Sequence, residues 1–287
     1  MTLFIDLRAT PSGGICAKEV TLWDDGTKPV TVAEFNERVN GRDVLFATHG
    51  FNVSRKSGVN SLSLWEPLMK LPPAMLFVGV LWPGDSKFLP VLDYPVEGEE
   101  AVESGRMLAN FLNRQVSGAA TVSFVSHSLG ARMILETLKN LERRVRRLIV
   151  MAGAIEDNCL TNEYQIAAGN VEEIYTIASK MDRVLQFAFP IGNPVGEIIM
   201  HGHPYFKTAL GRSGPAEQIP LEQRGGSWQI PNDWKYGHGD YLPDDPIKEH
   251  IDPPVVAPGP TSPIPVDPEF DGWESSWSAG VVSTQVR

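Results

Sequence analysis

Cysteine, long apolar runs and an excess of positive charge are what this sequence has least of. Cys16 and Cys159 are its only two cysteines in 287 residues. Two cysteines cannot build a disulfide framework, and neither has a second cysteine at zinc-ligand spacing. One Cys16–Cys159 bridge stays open, but free thiols and a cytoplasmic location are the expectation. Residues 74–82 form the longest nearly apolar run, far short of the roughly 20 residues that cross a bilayer. No transmembrane segment is therefore expected. Residues 1–10 lack a basic start followed by an apolar stretch, so no secretory signal is read there. Lys and Arg number 25 against 35 Asp and Glu, a net charge of −10. Such a chain offers no global field to nucleic acid or anionic membrane, and neither is expected as a partner. Internal repeats are also lacking.

What is present divides into a body and a tail. Hydrophobic residues make up 42% of the chain, enough for a full core. In residues 252–268, 7 of 17 positions are proline, which rules out helix or central strand and favours extended polyproline II. Residues 252–287 read as a tail without a core of its own, suited to a partner that recognises polyproline. Trp273 and Trp277 could pin part of it to the body.

The body, residues 1–251, alternates between two periods. Short β-rich runs at 44–48, 75–82, 121–126, 147–152 and 173–178 are apolar on consecutive positions, as expected of strands covered on both faces. Helical patterns lie between them. Thr31 with Glu34 reads as a capping box for a helix through Val39. Residues 60–71, 97–115 and 131–141 carry apolar stripes, and Glu97, Glu99, Glu100 and Glu103 suit a helix N-terminus. Strand–helix alternation of this kind predicts an α/β fold with a mostly parallel sheet and helices on both faces. The alternation breaks after Asp182. Residues 192–235, rich in Gly, Pro and polar side chains, read as an irregular excursion or a small cap over the C-terminal edge of the sheet.

The chemistry concentrates around one serine. The strand at 121–126 runs directly into Ser126-His127-Ser128-Leu129-Gly130, and a helix follows. Strand, sharp turn and helix are the context of a nucleophile elbow, with small residues two before and two after the nucleophile. Gly130 meets that need and Ser126 meets it sterically, although the strict Gly-x-Ser-x-Gly pattern fails. The competing assignment for Ser128 is a helix cap. The strand at 44–48 ends in His49-Gly50-Phe51-Asn52. Acyl transfer needs two backbone N–H donors for a developing oxyanion. Leu129, after the nucleophile, and Phe51, in this earlier loop, are the candidates. His49 reads as a loop-fixing side chain.

In these motifs the sequence resembles the α/β-hydrolase superfamily, and within it bacterial serine esterase/lipase-like members. The matching motifs are His49-Gly50-Phe51-Asn52, Trp82-Pro83-Gly84, Ser126-His127-Ser128-Leu129-Gly130, Ser179-Lys180-Met181-Asp182 and Gly237-His238-Gly239-Asp240-Tyr241. They span residues 44–241. The departures are Ser126 in place of Gly and the proline-rich tail. The resemblance implies the chain order Ser, then acid, then His.

Six histidines are candidates for the base. His49 and His127 precede Ser128, His201 and His203 lie in the irregular stretch, and His250 borders the tail. His238, in a Gly-flanked loop, is the expected general base. For the acid, Asp182 follows the strand at 173–178, while Glu156 and Asp157 follow the strand ending at Ala152. Asp182 is favoured because the acid commonly follows the strand after the one that adjoins the nucleophile helix. Chain order also allows Asp157, and either aspartate could instead cap a helix.

Other clusters read as weaker. His201-Gly202-His203 lacks a complete metal ligand set. Arg143, Arg144, Arg146 and Arg147 read as a solvated surface that complements a helix C-terminus. Gly225-Gly226 lacks the context of a phosphate loop.

The expectation is a metal-independent, cofactor-free serine hydrolase of the carboxylesterase class. Its substrate would be a small or lipid-like ester. The same triad could serve a thioester or amide, and a non-catalytic binding protein could keep this fold.

Overall fold

In the computed structural model the described residues are 1–10, 16–69, 71–84, 94–192, 208–217 and 224–243. Among them runs one nine-stranded sheet, ordered β3-β2-β1-β5-β4-β6-β7-β8-β9. Its strands are β1 (Leu3–Arg8), β2 (Cys16–Asp24), β3 (Lys28–Pro29), β4 (Asp43–Thr48), β5 (Met75–Leu81), β6 (Thr121–His127), β7 (Val145–Met151), β8 (Val171–Ser179) and β9 (Arg224–Ile230). β2 pairs antiparallel with β1 and with β3, and every other pairing is parallel.

The expected strand runs are β4 to β8, and they fill the middle of the sheet. β4 and β6 are buried at every position but the first, which accounts for their unbroken apolar sequence. Phe46 stacks on Phe124 between them, with ring centroids 5.3 Å apart.

The helices are α1 (Val32–Val39), α2 (Arg55–Leu68), α3 (Tyr94–Gln115), α4 (Gly130–Asn140), α5 (Gln165–Gly169), α6 (Arg183–Gly192) and a single turn α7 (Leu210–Ser213). The Thr31–Glu34 capping box is present at α1. α2 starts five residues before the expected helix at 60–71, because the Ser54 hydroxyl caps it through the Ser57 N–H.

The chain steps from β4 to β5 toward one edge, then from β5 through β6 and β7 to β8 toward the other. With right-handed crossovers, opposite steps place their helices on opposite faces. α3 and α4 share one face, linked by Arg106 Nε and Glu136 Oε1 at 3.0 Å. α2 covers the other, with Trp65 edge-on to Phe77 at 6.4 Å. The direction reverses at β4, so the crevice between the C-terminal ends of β4 and β6 is the point where ligands bind in such sheets.

Two features differ from the sequence expectation. The first is the N-terminal hairpin. β1 is fully buried and pairs parallel to β5, from Leu3 with Val78 to Asp6 with Leu81. Asp6 and Arg8 interrupt its apolar run, which hides it from a pattern search. The second is the cap expected at 192–235, which is corrected at its C-terminal end. Residues 224–230 are β9, parallel to β8 from Glu173–Arg224 to Ser179–Ile230. The first glycine of the pair that reads as a loop is a strand requirement here: Gly225 has φ +134°, and a Cβ there would stand 2.0 Å from the Ile174 carbonyl oxygen. Residues 208–217 lie on the loop after β7, where the Leu210 N–H donates to Ile155 O at 2.8 Å. The tail at 252–287, with Trp273 and Trp277, lies outside the described residues, as do His201, His203 and His250.

Candidate active site

β6 ends at His127, and the chain then turns sharply into α4. Ser128 makes that turn with φ +55°, the left-handed region in a non-glycine residue. Such a conformation costs on the order of 1–3 kcal/mol and persists only where the surroundings hold it. Here the Ser128 N–H donates to Met151 O at 3.0 Å, and Ser128 O accepts from Ala131 and Ala154, each at 3.1 Å.

The neighbours explain why the flanking residues are small. A Cβ on Gly130 would lie 2.5 Å from His49 O, and one on Gly50 would lie 2.7 Å from Ser128 Cβ. The β4–β6 register pairs Thr48 with Ser126, so the two loops leave the sheet side by side. Ser126 is fully buried, and its hydroxyl donates to Ile149 O at 3.4 Å. Ser128 does not use its side chain as a helix cap: α4 has no side-chain cap at its N-terminus.

The Ser128 hydroxyl instead meets His238, with Oγ 2.8 Å from Nε2. The other ring nitrogen, Nδ1, lies 2.7 Å from Asp182 Oδ2. An ionised carboxylate only accepts, so Nδ1 carries the proton and Nε2 accepts from the serine hydroxyl. Asp182 is 0% exposed, while the His238 side chain keeps 16%. The second oxygen of Asp182, Oδ1, accepts the Leu185 N–H at 2.9 Å. Asp182 therefore does both things the sequence offered as alternatives: one oxygen caps α6 and the other holds the imidazole. The structure brings Ser128, Asp182 and His238 together as the chain order implied.

The loop bearing His238 is tied down on three sides. The Ser179 hydroxyl donates to Tyr236 O at 2.6 Å. Asp240 Oδ2 accepts the Gly237 N–H at 2.6 Å. His127 Nε2–H donates to His238 O at 2.8 Å, and its ring lies 5.0 Å from the His238 ring. Chain order gives His127 no role as the base, because it precedes Ser128. Its position next to the nucleophile was the only signal for its hold on the loop.

Asp157 goes elsewhere. Its N–H donates to Thr208 O at 2.9 Å, and its carbonyl accepts from Ala216 at 3.0 Å. Burial raises its carboxyl above the usual range. Glu156 forms a bridge with Ala209. The pair anchors residues 208–216 and does not reach His238.

On the opposite side of Ser128, His49 is fully buried and stacked on Trp82, with centroids 5.8 Å apart. Its Nδ1–H donates to Gly50 O at 2.8 Å, and Nε2 accepts the Trp82 N–H at 3.4 Å. Burial, aided by the charge of Arg8, holds its pKa down at about 3. It stays neutral with one fixed tautomer, which suits the expected loop-fixing role. Gly50 O and the Phe51 N–H belong to one planar trans peptide, so fixing the carbonyl aims the Phe51 N–H the opposite way. Among the described residues, no hydrogen-bond acceptor takes the N–H of Phe51 or of Leu129.

Cys16 and Cys159 are both free thiols, so the bridge left open by the sequence is not formed. Burial pushes the Cys159 thiol up to about 12. Among the described residues no group of three His, Cys, Asp or Glu is arranged to hold a metal, and no helix is long and apolar enough to cross a membrane. Arg143 donates to Val116 O and Ala119 O at 2.6 and 3.1 Å, just past the end of α3, and Arg147 pairs with Glu173 at 2.5 Å. Much of the arginine cluster is thus structural.

Fold and site together define an α/β hydrolase. The chain belongs to the family described as "Alpha/beta hydrolase of unknown function (DUF900)", which matches residues 28–231. That span holds Ser128 and Asp182, and it ends before His238. No curated protein matches the chain. Solved structures similar to it include esterase PE8, at 16% identity and a TM-score of 0.39, covering 69% of this chain and 86% of that one. A lipase-esterase related protein from Clostridium acetobutylicum ATCC 824 has 14% identity and a TM-score of 0.30, covering 49% and 75%. An inhibited esterase B from Lactobacillus rhamnosis has 9% identity and a TM-score of 0.32, covering 66% and 65%.

Proposed function

We propose that the protein is a serine hydrolase that cleaves carboxylic esters through an acyl-enzyme on Ser128. The carrying observation is the run of two short hydrogen bonds from Ser128 Oγ through His238 to buried Asp182, 2.8 and 2.7 Å long, at a strained elbow. Ser128 Oγ attacks the ester carbonyl carbon as its proton passes to His238 Nε2. The carbonyl oxygen becomes an oxyanion held by the Phe51 and Leu129 N–H groups. Collapse breaks the bond to the alkoxy oxygen, which leaves with the proton from His238. Water then attacks the acyl-enzyme, His238 takes its proton and returns it to Oγ, and the acid departs. Asp182 keeps Nδ1 protonated and stabilises the imidazolium in each half-reaction.

Intact mass after treatment with a fluorophosphonate, paired with turnover of short- and long-chain p-nitrophenyl esters, tests this. One adduct per chain together with ester turnover is expected. A folded protein that takes no adduct and turns over no ester would overturn it.

A further inference from the structure

The loop that carries Phe51 is held at three points. Gly50 O is fixed by His49, as described. Asn52, at φ +56°, donates its N–H to Gly84 O at 2.5 Å. The third point comes from the far end of the sequence: Arg8 Nη2 donates to Val53 O at 2.6 Å. We infer that Arg8 is a positioning residue that sets the aim of the Phe51 N–H toward the oxyanion, an inference that rests on the proposed acyl transfer.

The geometry gives β1 a grip on both ends of a short stretch. Asp6 pairs with Leu81 in the parallel register, so Arg8 falls past the end of β5, beside the segment that contains Trp82 and Gly84. Arg8 is buried and accessible to the loop rather than to solvent. Its own N–H donates to Asp6 Oδ1 at 3.1 Å, and Asp6 Oδ2 binds Arg55 Nε at 2.6 Å. Arg55 opens α2, donates to Gly26 O at 2.9 Å and lies 5.0 Å over the Trp23 ring. Val53 is thus clamped by Arg8, and Arg55 is clamped by Asp6, two residues away on the same strand. Between Gly50 and Val53 the backbone has little freedom left, and the Phe51 N–H lies inside that span. A guanidinium suits the task because it stays charged when buried and donates in a fixed plane. Its charge also opposes protonation of His49, which preserves the tautomer that fixes Gly50 O.

The test measures Arg8→Gln and Arg8→Lys beside the wild-type chain. For each, kcat and KM are taken on a p-nitrophenyl ester, and affinity is taken for a trifluoromethyl ketone, whose hemiketal on Ser128 places an oxyanion where the transition state has one. Removing a whole oxyanion donor costs about 100- to 1000-fold, so a misaimed one should cost about 10- to 100-fold. Arg8→Gln is expected to lose that factor in kcat and in ketone affinity together, with KM changed less than about threefold. Arg8→Lys should fall between it and wild type. Folded variants with kcat within about twofold of wild type, or with reduced kcat and unchanged ketone affinity, would overturn the inference. So would failure of both variants to fold, because Arg8 would then serve stability alone. A wild-type chain without ester turnover or fluorophosphonate labelling is a different result: it removes the acyl-transfer reading, and this inference falls with it.

Discussion

The two sides of Ser128 are built on different principles. On the acid side the proposed chemistry belongs to side chains: His238 and Asp182 form short hydrogen bonds in line with the hydroxyl. On the oxyanion side the groups proposed to meet the substrate are backbone amides, and side chains such as His49 hold the backbone in place. A substitution on the first side removes a participant. A substitution on the second misplaces one by a fraction of an ångström. Large, charge-dependent losses are expected on the acid side, and smaller, geometry-dependent losses on the other.

The largest effect belongs to Ser128. Ser128→Ala should abolish fluorophosphonate labelling and lower kcat by several orders of magnitude while the fold persists. Circular dichroism and labelling mass check both halves. Ser128→Gly should be equally inactive yet more stable than the Ala variant by about 1 kcal/mol, because φ +55° strains alanine and suits glycine. Thermal melts of the pair read that difference.

Asp182 comes next, and its two oxygens allow its two roles to be separated. Asn still caps a helix, so Asp182→Asn should leave α6 in place. It should nevertheless lower kcat by about 10⁴ through loss of the correct tautomer, with little change in KM. Asp182→Ala should add a loss of thermal stability. Asp157→Asn, in a residue that only anchors the 208–216 segment, should cost less than about tenfold. Steady-state kinetics on the three variants rank the candidates, and a larger loss for Asp157→Asn would refute the assignment.

On the oxyanion side, Gly50→Ala places a Cβ 2.7 Å from Ser128 Cβ. One of the two loops must shift, and a displacement of about 1 Å near the reacting atoms costs about 100-fold. The loss should appear in kcat and scarcely at all in KM.

How much of this was legible in the sequence follows the same division. That Ser128, Asp182 and His238 meet could be expected because residue type and order leave a trace: a small-x-Ser-x-Gly turn after a strand, an acid after a later strand, a His beyond it. β4 to β8 could be named because burial on both faces leaves unbroken apolar runs. Backbone roles leave fainter traces. Nothing in Leu3-Phe4-Ile5-Asp6-Leu7-Arg8 marks a central-sheet strand whose two charges grip a loop 45 residues away. β9 is hidden because near its start it carries Gly225, which its close pairing with Ile174 needs, and Gly226, and two glycines depress any strand reading. The contribution of His127, a ring N–H to a backbone carbonyl, leaves no trace in the sequence because it depends on the fold and not on spacing.

An effect separate from turnover is expected on stability with pH. His49 has a folded pKa of about 3 against about 6.5 unfolded. Between those values the unfolded chain binds the proton and the folded one does not, so stability falls as pH falls, by up to about 1.4 kcal/mol per unit from this group. Above pH 6.5 the contribution is constant. Urea midpoints between pH 7 and pH 4 should show this slope, and His49→Asn should make it shallower. An unchanged slope would mean that His49 is not held neutral by the fold.

The most direct test of the central claim is pre-steady-state. Mixed rapidly with a p-nitrophenyl ester whose deacylation is slow, the protein should release a burst close to one p-nitrophenol per chain. Quenched samples should carry the acyl mass on the peptide containing Ser128, and the adduct should be absent from Ser128→Ala. Turnover with no acyl adduct, or with the adduct on another residue, would contradict a covalent mechanism centred on Ser128.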